Sequence, residues 1–127
     1  MTSGQCMGRL RLTARWTLLL LSLVIAAIYL NSAFFSARVS GGPPNPYPHA
    51  WSQRGVTHLC LAGAFLFGGI AIYRLIGSFP KIGVLTIIFA VVAVLFPAVP
   101  YVREFWYVDA CLDRGGRWNS LAFQCER

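Results

Sequence analysis

An all-α membrane fold, three transmembrane helices followed by a small disulfide-closed C-terminal extramembrane tail, is what this sequence predicts. Apolar runs at residues 16–37, 56–76 and 82–102 each approach the ~20 residues a helix needs to cross ~30 Å of hydrocarbon, and none contains an acidic residue. The charges of that region, Arg38, Arg54, Arg74 and Lys81, sit at or outside the ends of the runs. Composition agrees: 57% of residues are hydrophobic and 12% charged, against roughly 25% charged in soluble domains.

The leader, residues 1–15, carries Arg9, Arg11 and Arg15 ahead of the first span. That layout resembles a signal peptide, but the apolar run continues through Ala33, Phe34 and Phe35, beyond the ~7–15 residues of a signal core. An uncleaved first helix is expected. Within it, Ser22 and Ala26 have the spacing that lets helices approach closely, and Asn31 is a candidate interhelical hydrogen-bonding group.

Residues 38–55 follow as a Pro/Gly-rich outer loop, with four prolines and two glycines between Ser40 and His49. Proline removes backbone donors and blocks helix continuation, so no span is expected there. Tyr47 and Trp51 suit headgroup depth, where amphipathic rings collect, and are candidates for contacting a partner. In the second span Ala64 and Gly68 form a small-xxx-small pair suited to helix packing or homo-oligomer contact. A short inner turn at 77–81 makes the last two spans an antiparallel hairpin. Pro97 and Pro100 should bend or loosen the outer end of the third.

The net charge of +7 arises from eleven basic and four acidic residues. The basic groups are spread over separate extramembrane segments, which argues for lipid headgroup contact and against nucleic acid. With the N-terminus inside, Arg9, Arg11, Arg15, Arg74 and Lys81 are cytoplasmic, whereas Arg38, Arg54, Arg103, Arg114, Arg117 and Arg127 are outside. Counting alone does not orient the chain. The arginines flanking the first span carry more weight than those far beyond the last.

The tail, residues 103–127, adds a second argument. Residues 102–114 can prolong the third helix, and Gly115-Gly116 supplies a left-handed stop. The chain can then return as a small hairpin on which Trp118 and Phe123 fold back onto the helix or the membrane, or meet a partner. A bridge between Cys111 and Cys125 would close this unit and contribute ~3 kcal/mol. Disulfides persist in oxidising compartments, which places the tail outside and the N-terminus in the cytoplasm. A reduced tail would mean the inverse topology.

The run Asp109-Ala-Cys-Leu-Asp-Arg-Gly-Gly-Arg-Trp-Asn119, followed by Cys125-Glu126, resembles a C-L-D-x-G-G-x-W…C tail. That tail is associated with small proteobacterial envelope proteins, some of which resemble immunity proteins encoded beside secreted toxins. The resemblance covers the tail alone; it implies a bacterial inner membrane with the tail in the periplasm, and no active-site residues.

No catalytic constellation stands out, so no enzyme activity, metal or cofactor is expected. His49, His58 and Cys60 are too few and too scattered for a metal or haem site. Asp109, Asp113 and Glu126 read as a solvated face, with Asp113 paired to Arg117. Quinone-linked thiol oxidation would need an exchangeable cysteine pair, and C-x-x-C spacing is absent. The spans lack the interior ionisable groups of pumps and ion-coupled transporters. The expected function is binding of another envelope or membrane protein, a toxin in the immunity version. The alternative is an accessory or assembly subunit of a larger membrane complex.

Overall fold

The computed structural model describes residues 3–126, and side chains from Gly8 to Glu126. Three helices, α1 (Ser3–Ser40), α2 (Pro48–Ser78) and α3 (Val84–Leu112), precede two short strands, β1 (Arg117–Asn119) and β2 (Gln124–Glu126). Each helix is long and apolar enough to cross a membrane. The outward surfaces are correspondingly greasy: Leu20, Leu21, Val94 and Leu95 are all exposed, as lipid-facing residues must be. A multi-pass membrane protein with a disulfide-closed tail is the architecture.

All three helices outrun the apolar stretches that define them. At about 1.5 Å per residue, α3 is on the order of 44 Å long, well beyond the hydrocarbon. The loop between α1 and α2 shrinks accordingly, to residues 41–47 and not 38–55. Proline at the first position of a helix gives up no needed donor and arrives with helical φ, so Pro48 starts α2 and does not prolong the loop. Asn45 ties the loop down, donating to the Val39 carbonyl (3.4 Å) and accepting from the Tyr47 amide (2.9 Å). At the other end, residues 79–83 join α2 to α3 through a cis Phe79–Pro80 bond.

The central helix is α2, packed on α1 along one side and on α3 along the other. In a bilayer the helices gain little from excluding water from one another, so close contact must come from shape and small side chains. On the α1 side, a Cβ added at Gly69 would overlap the Ser22 hydroxyl, and one at Gly55 would lie 3.5 Å from Ser36 Cβ. Buried Ala62 lies midway, seven residues from each. Gly55, Ala62 and Gly69 therefore repeat every seven residues, the spacing that keeps one seam of a helix against its neighbour. Opposite them on α1, Ala26, Ala33 and Ser36 are buried. Tyr29 stacks on His58 (5.8 Å) and Phe65 (5.6 Å) of α2.

The α3 side is aromatic. Phe67 stacks on Phe89 (6.0 Å) and Phe96 (5.5 Å), while Gly63 makes room for the Phe96 ring, which would lie 2.7 Å from an added Cβ. Gly68 faces this side too, with a virtual Cβ 3.7 Å from Ala93 Cβ, an ordinary contact. Despite Pro97 and Pro100, α3 runs as one unbroken helix. Buried Gln53 of α2 donates its side-chain amide to the Pro100 carbonyl at 3.2 Å, binding the two helices together beside the prolines. That carbonyl is not one the prolines free, since those belong to residues four positions earlier.

Candidate recognition surface at the hairpin end

The tail is a hairpin built onto the last turn of α3. Gly115 adopts φ +70°, a left-handed conformation glycine enters without steric cost. The Gly116 amide donates to the Cys111 carbonyl (3.1 Å) and the Gly115 amide to that of Leu112 (2.9 Å). These two bonds are the Schellman pair that satisfies carbonyls at a helix end. The chain turns back and pairs antiparallel, with Arg117 opposite Glu126, Trp118 opposite Cys125 and Asn119 opposite Gln124.

Asn119 organises the turn between the strands. Its side-chain oxygen accepts from the Leu121 (3.0 Å) and Ala122 (3.1 Å) amides, and its Nδ2 donates to Glu126 Oε1. Glu126 thus serves the hairpin and does not join Asp109 and Asp113 in a cation site. Phe123 takes φ +53° to close the turn. Its ring meets Trp118 edge-on at 5.1 Å and Tyr107 of α3 at 5.7 Å. Ala122 of the same turn is fully buried.

A Cys111–Cys125 disulfide, Cα–Cα 5.6 Å, staples the second strand to the helix. Gly116 passes beside it so closely that a Cβ would collide with the Cys125 sulfur. The outcome is a covalently closed knob whose tip presents Leu121, 84% exposed. Cys60, in α2, is free and buried; Cys6 lies outside the residues whose side chains are described.

Two clefts separate the hairpin from the start of α2. One, of about 400 Å³, is lined by His49, Arg103, Tyr107, Arg114, Trp118 and neighbouring hairpin residues, with no carboxylate among them. Trp118 Nε1 is buried and has no hydrogen-bond partner. The other, of about 290 Å³, lies between Gln53, Arg54, Tyr101, Glu104 and the hairpin tip.

The residues singled out from sequence fall into distinct settings. Tyr47 is half exposed at the start of α2. Trp51 packs edge-on against Phe35 of α1 (6.2 Å) with the Arg54 guanidinium 5.0 Å from its ring centroid, so it holds α1 to α2. Trp118 and Phe123 are mostly occupied with each other and with Tyr107. Ser22 and Ala26 lie on the α1 seam, and Gly68 faces Ala93 of α3 instead. Asn31 is exposed beside a groove between α1 and α2. Leu121, Arg103 and Gln53 were not singled out. The signal for Leu121 was a lone large aliphatic inside a polar turn; for Arg103 and Gln53 the sequence holds none.

Among the described residues, no three His, Cys, Asp or Glu side chains assemble as a possible metal site. No family model, characterised protein or solved structure matches the chain.

Proposed function

We propose that this chain is a non-enzymatic protein of a bacterial inner membrane, N-terminus cytoplasmic and hairpin periplasmic. It acts by binding another envelope protein at its hairpin end. The observation that carries the reading is the stapled hairpin itself. A disulfide, a Schellman turn, an asparagine-capped bend and an aromatic cluster all hold a turn that presents an aliphatic side chain to solvent. Rigid presentation of an apolar group lowers the ordering cost of association. The oxidised cysteines supply the reason for the periplasmic side. The tail's resemblance to envelope and immunity-like proteins supplies the partner class, a secreted toxin in the narrower version.

A photo-crosslinking amino acid placed at Leu121 tests this in living cells, with the lipid-facing Val94 as control. A discrete adduct to an envelope protein or toxin is expected at Leu121 alone. Leu121→Asp should abolish co-purification of that protein and any protection from a toxin, while the disulfide stays formed. No adduct at Leu121, or undiminished binding by Leu121→Asp, overturns the proposal.

A further inference from the structure

The basic cleft beside the hairpin continues into an apolar groove along α3. The groove, about 770 Å³, is bounded by Leu95, Val99, Val102 and Trp106, and shares Arg103, Tyr107 and Ala110 with the cleft above it. These positions recur three and four residues apart, so they form one stripe on one face of the helix. The stripe changes character along its length. From Leu95 to Val102 it is aliphatic and within the predicted span; from Arg103 upward it is cationic and aromatic. Exposed Tyr101, Phe105 and Trp106 mark the depth of that change, because such rings gather at the membrane–water boundary.

We infer that this stripe is a binding site for an anionic phospholipid, with its phosphate in the basic cleft and an acyl chain in the α3 groove. The cleft supplies cationic donors without a competing carboxylate, Arg103 and Arg114, with His49 beside them. An anionic oxygen meets a guanidinium through a charge-assisted bond. Arg103 stands over the Tyr107 ring, 5.6 Å from its centroid, which orients a long side chain beside the groove. The volume of the cleft, about 400 Å³, greatly exceeds the ~10–15 Å³ that one bridging water needs. Charge and depth select the occupant: an open aliphatic face of α3 leading directly to cationic groups matches a lipid, whereas an acidic protein segment has no use for that face. The inference goes beyond the proposed partner binding and does not depend on which side of the membrane the hairpin occupies.

Native mass spectrometry of the full chain, released from detergent containing equal phosphatidylglycerol and phosphatidylcholine, reads this directly. Retention of phosphatidylglycerol over phosphatidylcholine by about tenfold is expected, the ratio that ~1.4 kcal/mol produces. Arg103→Gln and the exposed Arg114→Gln should each erode that preference. Arg74→Gln, at the opposite end of α2, should leave it unchanged. Oxidised Cys111–Cys125 and unaltered helix content in each variant show that the fold is intact. Equal retention of the two lipids, or a preference untouched by both arginine variants, overturns the site. Release of bound phosphatidylglycerol by an acidic peptide but not by competing lipid would also overturn it, and assign the cleft to a protein partner.

Discussion

Trp118 and Leu121 sit three residues apart in the same hairpin and do opposite things. Trp118 spends its ring on Phe123, whereas Leu121 contributes little to the fold and is mostly exposed. Truncating each should therefore separate stability from recognition. Trp118→Ala should loosen the hairpin by about 1–2 kcal/mol through lost apolar burial and edge-to-face contact. Faster amide exchange across residues 117–126 would report it. Leu121→Asp should change stability by no more than ~0.5 kcal/mol, as exposed substitutions generally do, and leave that exchange pattern intact. An exchange map altered equally by both would mean that Leu121 is a packing residue after all.

At the scale of elements, the two sides of α2 are lined differently, by small residues toward α1 and by aromatic rings toward α3, and single glycines on α2 differ in how much room they have. Toward α1, Gly69 has no room for a side chain because Ser22 fills the space, just as Gly63 yields to Phe96 toward α3. Gly68, toward α3, has ordinary clearance. Gly69→Leu should thus separate α1 from α2 and cost about 1–3 kcal/mol by overpacking. Gly68→Leu should cost less, because Ala93 can yield by a small shift. Unfolding midpoints in mild detergent would rank them; Gly68→Leu as the worse variant would reverse the assignment of the two faces. The hairpin is held by its covalent bridge. Replacing Cys111 and Cys125 together with Ser should loosen the tail by ~2–4 kcal/mol. Helix content should not change, since spans satisfy their own backbone hydrogen bonds and do not depend on the tail. Circular dichroism and proteolysis of the tail, measured side by side, would show the separation.

For the whole molecule, three spanning helices put the two ends on opposite faces of the membrane. The proposed orientation rests on Arg9, Arg11 and Arg15 before the first span and on the oxidised cysteines after the last. A C-terminal alkaline phosphatase fusion should accordingly be active, and a fluorescent fusion that matures only in the cytoplasm should be dark. The reverse pattern would put the hairpin inside and require another account of the disulfide. In either orientation α2 is the central helix, with α1 and α3 on its two sides. The exposed stripe of α3 then remains available to lipid.

Sequence alone determined the membrane class, the three helices and the closed tail, because each depends on local properties. Apolar length decides spanning, Gly115-Gly116 decides where a helix stops, and two cysteines across a short return decide the staple. The start of α2 was also local in origin, since Pro48 can open a helix as readily as extend a loop, yet neighbouring prolines and glycines obscured it. Only the tertiary structure decided which small residues meet. Ala64–Gly68 and Gly55–Ala62–Gly69 are both plausible stripes on one helix, and nothing in a single helix tells which neighbour each faces. The same holds for Gln53 and Pro100, 47 residues apart, and for the joining of Arg103, Arg114 and Trp118 into one cleft. Such contacts depend on rotation and register between helices, which emerge only when whole surfaces are packed together.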